Sequence, residues 1–280
     1  MAKIISSILL IFFAAAWQCA YADEMVFVLI GQSNMVGFGQ VRELRSGDAE
    51  FPPNVVFYED GERKRLGQQR RFGPEVGFAR MMAEAFPRDT IVLAKHAVGG
   101  TSIGRWMPDA SDQGDRLGSG PMRRGAPIYP ALMVSLKTVI RSDRPVCSIL
   151  MMQGEADAKS DALAGAYGTR IADFVAALRR DLKSPQALFI YGKVNPPPDR
   201  FPAVELVRQH QQTLARSLPS AVMIDTDDLS KRPDGLHYDS MGQLELGRRF
   251  AAAYISNAKK SGCAGIKSNS SELDPRGNQK

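Results

Sequence analysis

Ser33 follows an apolar run, Met25-Val26-Phe27-Val28-Leu29-Ile30, inside the segment Gly31-Gln32-Ser33-Asn34-Met35. A serine hydroxyl is a weak nucleophile until a base takes its proton. Some 200 residues later the chain reads Pro233-Asp234-Gly235-Leu236-His237, and His237 is one of three histidines. A neutral imidazole can accept the serine proton and return it to a leaving group. Asp234, three residues before it, can reach the ring through a turn, fix its tautomer and stabilise the imidazolium. Asp239 and Asp227 are alternative acids for that place. Nucleophile, base and orienting acid together point to acyl transfer, and hence to an ester hydrolase.

Acyl transfer also needs donors for a developing oxyanion. Gly99-Gly100-Thr101-Ser102 is a glycine turn after a strand ending near His96, and its backbone N–H groups are candidates. Gln153-Gly154-Glu155 follows another strand, and the Gln153 amide is a third candidate donor beside the Ser33 and Gly100 N–H groups. Gln32, Asn34 and Glu155 flank these positions and are candidate substrate-binding residues, Glu155 also as a loop brace. His96 is assigned to packing or to a pocket wall. Gly73-Pro74-Glu75 reads as the entrance of a helix, with Glu75 stabilising its first turn.

These residues need elements that bring them together. The apolar runs Met25–Ile30, Asn54–Tyr58, Thr90–Lys95, Val146–Met152, Ala187–Lys193 and Ala221–Ile224 predict strands. Several lack polar alternation, the pattern of parallel strands covered on both faces. Helical periodicity lies between them, over about 74–86, 129–141, 161–182, 202–217 and 241–256. Within the third, Ile171, Phe174, Val175 and Leu178 form one apolar stripe. Alternation of this kind predicts a three-layer α/β/α sandwich with a mostly parallel sheet. Ser33, Gly100, Gln153 and His237 then all follow strands, at the edge where open α/β sheets bind ligands.

The chain has 280 residues, 44% hydrophobic and 24% charged, with a formal net charge of +6. That is globular composition. The basic residues of Arg63-Lys64-Arg65 and Gln69-Arg70-Arg71 read as a solvated loop or a hint of an anionic partner. No aromatics interleave with them, which argues against nucleic acid. Lys3, the apolar run from Ile4 to Trp17 and Ala20-Tyr21-Ala22 predict a secretory signal over 1–22, cleaved after Ala22. The run is short for a membrane span, and Trp17-Gln18 before Cys19 fits a lipoprotein signal poorly. Cleavage removes Lys3 and leaves a net charge of +5. A secreted or periplasmic domain over 23–258 and a disordered polar tail over 259–280 follow. Two cysteines remain. Cys147 is expected as a buried free thiol and Cys263 in the tail, with a bridge between them as the alternative. Trp106–Pro127 has no periodicity and reads as a long functional or mobile loop. No metal-ligand spacing stands out, and nothing implies a cofactor.

Gly-Gln-Ser-Asn-Met at 31–35, Gly-Pro-Glu at 73–75, Gly-Gly-Thr-Ser at 99–102, Gln-Gly-Glu-Ala-Asp at 153–157 and Asp-Gly-Leu-His-Tyr at 234–238 occur in that order. The ordered set, over about 25–257, resembles the sialate O-acetylesterase-type domain. That group includes the acetyl xylan esterases of carbohydrate esterase family six and is similar to the SGNH hydrolases. The resemblance implies an SGNH-type, flavodoxin-like architecture and removal of acetyl groups from an acetylated carbohydrate through an acyl-enzyme intermediate. Ser33 would be the nucleophile, His237 the base and Asp234 its partner. The oxyanion would be held by Ser33, Gly100 and Gln153, with Gln153 in place of the SGNH asparagine, and without a metal. The chain departs from many relatives in reading Met151-Met152 where they carry a tryptophan. An α/β-hydrolase acting on other esters is a rival reading, but no G-x-S-x-G elbow surrounds Ser33. The other rival is a carbohydrate-binding protein that keeps the fold without turnover. The sequence leaves the glycan and the oligomeric state open; loops 36–53, 59–72 and 106–127 are where specificity is expected.

Overall fold

Strands and helices alternate along the chain in the computed structural model, which describes residues 24–110, 127–261 and 263. The predicted signal segment, most of the 106–127 loop and most of the predicted tail lie outside these residues. The order is β1 (Glu24–Gly31), α1 (Ser33–Val36), β2 (Gly39–Gln40), β3 (Val55–Glu59), β4 (Glu62–Arg63), β5 (Arg71–Phe72), α2 (Glu75–Ala85), β6 (Thr90–Ala97), α3 (Ile128–Val139) and β7 (Val146–Met152). It continues with α4 (Asp161–Asp181), β8 (Leu188–Gly192), α5 (Val204–Ser217), β9 (Ala221–Ile224) and α6 (Ser240–Asn257).

Seven strands form one sheet in the order β4-β3-β6-β1-β7-β8-β9. All neighbours are parallel except the β3–β4 hairpin. The six predicted strands are its six parallel members, displaced by no more than two residues at either end. β1 is central, and its last residue, Gly31, pairs with Ala97 of β6 and Met152 of β7. Met25 to Ile30 and all of β7 are buried. Burial on both faces explains why these runs lack polar alternation.

The helices cover both faces. On one side Phe27 of β1 meets Phe78 of α2 and Tyr254 of α6 edge-on, at ring-centroid distances of 5.0 and 4.8 Å. Gly77 lets α2 and α6 approach closely, since a Cβ there would lie 2.0 Å from the Leu244 carbonyl oxygen. On the other side the α4 stripe is wholly buried, with Phe174 edge-on to Trp106 and Tyr129. Trp106 therefore belongs to the core and to a 3-10 turn over Ile103–Trp106, not to the loop expected to begin there. Ser160 caps α4 by accepting from the Leu163 N–H. Among the described residues no helix is long and apolar enough to cross a membrane.

Cys147 is not a free thiol: it forms a disulfide with Cys263, with Cα atoms 5.4 Å apart. A 3-10 turn over Ala258–Lys260 bends the chain back after α6. Ser261 is buried there and donates to the Ala258 carbonyl. Cys263 is thereby brought beside Pro145, at the start of β7. The polar composition beyond residue 258 concealed this return.

Candidate active site

β1 ends in a glycine because nothing else fits. Gly31 has φ +143°, and a Cβ on it would lie 2.1 Å from the Met152 carbonyl oxygen. The next residue, Gln32, donates its N–H to that same carbonyl at 2.9 Å. The chain then turns at once into the short helix α1, whose first residue is Ser33. First-turn N–H groups have no partner within a helix, and the Ser33 N–H has none among the described residues.

His237 arrives from the loop between β9 and α6. Its Nε2 lies 3.1 Å from Ser33 Oγ, and its Nδ1 lies 2.7 Å from Asp234 Oδ2. Asp234 Oδ1 accepts the N–H groups of Leu236 and His237, both at 2.9 Å, so the loop is folded around the carboxylate. Burial pushes the Asp234 carboxyl up, but the hydrogen bonds from the His237 and Leu236 backbone and the His237 ring outweigh it and hold it at about 2. Asp234 is thus ionised throughout the range in which an imidazole titrates. The alternative acids are used elsewhere. Asp239 caps α6 through the Gly242 N–H, and Asp227 pairs with Arg208 and Lys193.

Gly99 faces Ser33: a Cβ on it would come within 3.8 Å of the Ser33 Cβ. Gly100, at φ +68°, has open space on its Cβ side, and its N–H is unpartnered among the described residues. The Ser33 and Gly100 N–H groups remain as donors for an oxyanion. Gln153 does not join them in this structure. Its amide nitrogen donates to the Thr101 carbonyl at 3.1 Å and to Asp157 Oδ2 at 2.6 Å, which occupies both amide hydrogens. The side chain, 2% exposed, instead holds the loop that carries Gly100.

Gln32, Asn34 and Glu155, the candidate substrate-binding residues, are turned inward. They are 3%, 1% and 1% exposed, and their polar atoms bond to neighbouring loops. Gln32 Oε1 accepts the Ala156 N–H at 3.2 Å. Asn34 donates to Glu155 at 2.8 Å and to the Leu236 carbonyl at 3.2 Å, and accepts the Tyr238 N–H at 3.1 Å. One side chain next to Ser33 thus holds the backbone on both sides of His237. Desolvation raises the Glu155 carboxyl above its ordinary range. Met151 and Met152 are buried in β7 and form core. Among the described residues there is no cluster of His, Cys, Asp or Glu able to hold a metal ion.

Three supports were not legible in the sequence. Phe38 stacks on the His237 ring with centroids 4.0 Å apart. Lys95 and Glu75, 2% and 0% exposed, form a buried ion pair at 3.0 Å. Glu75 also accepts the Gly73 N–H, and Lys95 donates to the Val36 carbonyl at the end of the Ser33 turn. Glu75 therefore does more than favour a helix start. Breaking a buried pair strands a charge, at roughly 3–5 kcal/mol. Lys95→Met is expected to lower unfolding stability in urea by about 3 kcal/mol, and adding Glu75→Gln should restore part of the loss. An unchanged midpoint in the single variant would contradict this.

The third support is the Asp227 network, which braces the His237 loop from β8 and α5. Arg208 binds both Asp227 oxygens, at 2.9 and 2.8 Å, and Lys193 lies 2.7 Å away. The Arg208 hydrogen bonds hold the Asp227 carboxyl at about 2, below its ordinary value. A depressed folded-state pKa stabilises fully above the unfolded value near 4, and that stability is lost as pH falls toward 2. Asp227→Asn should therefore melt at a lower temperature than wild type at pH 7 and show a shallower loss between pH 4 and pH 2. Parallel melting curves across that interval would overturn the assignment.

The geometry is one in which a serine can be deprotonated and an acyl oxyanion held. Similar chains carry related names. A probable carbohydrate esterase of Arabidopsis thaliana is 25% identical over 266 residues, covering 86% of this chain and 94% of its own. The crystal structure of an Arabidopsis thaliana protein superposes with a TM-score of 0.68 at 23% identity, over 84% of this chain and 99% of that one. A carbohydrate acetylesterase from Xanthomonas citri gives 0.67 at 19% identity, over 84% of this chain and 56% of that one. NanS gives 0.58 at 17% identity, over 84% and 97%. These structural likenesses establish a shared α/β fold. Residues 23–256 match the family described as carbohydrate esterase, sialic acid-specific acetylesterase, and the chain accordingly belongs to that carbohydrate esterase family.

Proposed function

We propose that this chain is a secreted or periplasmic serine O-acetylesterase that removes acetyl groups from a glycan. The observation that carries the reading is the chain of contacts from Asp234 through His237 to Ser33, at 2.7 and 3.1 Å. Ser33 Oγ attacks the acetyl carbonyl carbon while His237 Nε2 takes the hydroxyl proton. The oxyanion of the tetrahedral intermediate accepts from the Ser33 and Gly100 N–H groups. As the intermediate collapses, the bond to the sugar oxygen breaks, and His237 returns the proton to that oxygen. The free sugar hydroxyl leaves and acetyl-Ser33 remains. Water, deprotonated by the same histidine, attacks the acetyl group, and acetate and the free serine are regenerated. Asp234 stays ionised and stabilises the imidazolium at each stage. Gln153, Asn34, Glu155 and Gln32 act through the loops they hold.

Support for the compartment comes from the apolar N-terminal run with its A-x-A site and from the Cys147–Cys263 disulfide, which suits an oxidising environment. The test is acetate release from a panel of acetylated glycans, with a fluorophosphonate probe used in parallel and the labelled peptide identified by mass spectrometry. Release from one glycan and an adduct on Ser33 are expected. Glycan binding with neither acetate release nor labelling would replace the enzyme by a binding protein. An adduct on another serine would displace Ser33.

A further inference from the structure

Five arginines without a carboxylate partner among the described residues lie along one side of this site. Most other ionic groups near the sheet edge are matched: Arg208 with Asp227, Arg249 with Asp228, Lys193 with Asp225. The exceptions gather around two adjoining cavities. The first, of about 400 Å³, is lined by Phe38, Arg42, Arg71, Lys231 and Arg232, with Glu43 and Asp239 as its carboxylates, which accept from Ser240 and from Ser230 and the Gly242 N–H. The second, of about 700 Å³, is lined by Lys64, Arg65, Gln69, Arg70 and Arg71, with Glu59 as its carboxylate. Glu59 faces Lys95 at 3.4 Å, and this one carboxylate stands against the four cations Lys64, Arg65, Arg70 and Arg71 of the cavity lining. Gln69 Nε2 is shielded from solvent and has no hydrogen-bond partner.

Arg71 belongs to both cavities and joins them into one groove. The groove begins at the active site, because the guanidinium carbons of Arg71 and Arg232 lie 4.9 and 5.4 Å from the centroid of Phe38, the ring that stacks on His237. Arg65 and Arg70 line the further cavity and not the nearer one. A ligand that touches them and also presents an ester to Ser33 spans both cavities.

We infer that this groove binds an acidic polysaccharide, a carboxylate-bearing chain such as a polyuronate, and feeds its acetylated residues to Ser33. The inference rests on the acetylesterase reading for its catalytic end, and it adds a polymeric, anionic substrate. The planar guanidinium presents paired donors that match a carboxylate. Clustered like charges in a groove repel one another and focus a field that draws in a polyanion. A nucleic acid would meet the same charge, but the groove ends at a site built for an ester.

The test separates binding from turnover. Wild type, Arg65→Glu/Arg70→Glu and Arg88→Glu/Arg216→Glu are run through gels containing polygalacturonate, neutral xylan or double-stranded DNA, with melting temperatures as the check on folding. The second double variant makes the same change in net charge at the opposite edge of the sheet. Polygalacturonate is expected to retard wild type and the Arg88/Arg216 variant alike, with affinity at least tenfold lower for the Arg65/Arg70 variant and falling with salt. Xylan should not distinguish the three. Equal losses in both double variants, retardation by DNA as strong as by polygalacturonate, or no retardation of wild type would each overturn the proposal. None of these readings requires acetate release, so failure of the esterase reading is seen separately, on 4-nitrophenyl acetate. If that ester is cleaved, acetate release from acetylated polygalacturonate, relative to 4-nitrophenyl acetate, should fall at least tenfold in the Arg65/Arg70 variant; an unchanged ratio would count against the groove.

Discussion

Ser33→Ala is expected to lower kcat on 4-nitrophenyl acetate by at least ~10⁴-fold while leaving the melting temperature within a few degrees of wild type. The loss corresponds to about 5 kcal/mol of barrier, at about 1.4 kcal/mol per tenfold. The substitution removes one oxygen from a half-buried position and leaves the Ser33 N–H, Gly31 and the Asn34 bonds untouched. What remains is a polarised ester with no nucleophile, so residual rate should come only from the oxyanion donors acting on water. Asp234→Asn should cost about 10⁴-fold for a different reason. The imidazole keeps its place, but an amide cannot stabilise the imidazolium and can hold the wrong tautomer. Steady-state kinetics on both variants, with circular dichroism to confirm folding, gives the comparison. A Ser33→Ala enzyme within tenfold of wild type would mean that another group attacks the ester. An Asp234→Asn enzyme near wild type would mean that the 2.7 Å contact with His237 Nδ1 is not what orients the base.

The parallel core was legible because its determinants are local. Met25–Ile30 and Val146–Met152 are apolar runs buried on both faces, and burial of that kind writes itself into composition. Ser33, Gly100, Asp234 and His237 were legible because each follows a strand, and strand ends in such a sheet share an edge. What the pattern could not give was the direction of a buried polar side chain. Gln32, Asn34, Gln153 and Glu155 stand at the site in sequence, yet all four turn inward, because their partners, Asp157 beside Gln153 excepted, lie between 52 and 204 residues away along the chain. Phe38 over His237 and Lys95 beneath the Ser33 turn escaped for the same reason. The two-residue strands β2 and β5 are shorter than any periodicity can register, yet Gly39 and Phe72 pair there to carry Phe38 and Arg71 to the site. Charge density was visible at 63–71. That its four arginines lack carboxylate partners among the described residues could be seen only once the ion pairs were placed.

Loss of the Cys147–Cys263 disulfide is expected to be the largest stability effect available without touching the core. The two cysteines are 116 residues apart, and the closed loop holds β7 to α6 with both Asp234 and His237 inside it. In the chain-entropy account, a loop of about a hundred residues is worth about 4–5 kcal/mol at 25 °C, because the cross-link removes conformations from the unfolded chain. That is a large fraction of the roughly 5–15 kcal/mol that holds a typical domain together. Cys263→Ser is the cleaner variant, because Cys147 is wholly buried and a polar replacement there would add its own cost. Urea unfolding of wild type and Cys263→Ser should differ by about 4 kcal/mol, and melting temperatures by roughly 10 °C. Reductant should bring wild type to the variant and leave the variant unmoved. Activity at 25 °C should survive, because Cys147 sits at the amino end of β7 and Gln153 follows its carboxyl end, a strand's length from the bridge. Catalysis that fails at 25 °C while the variant is still folded would mean that the bridge also sets the position of the His237 loop through α6. Matched unfolding curves, with thiol titration confirming reduction, would mean that α6 and its terminal turn hold to β7 by packing alone.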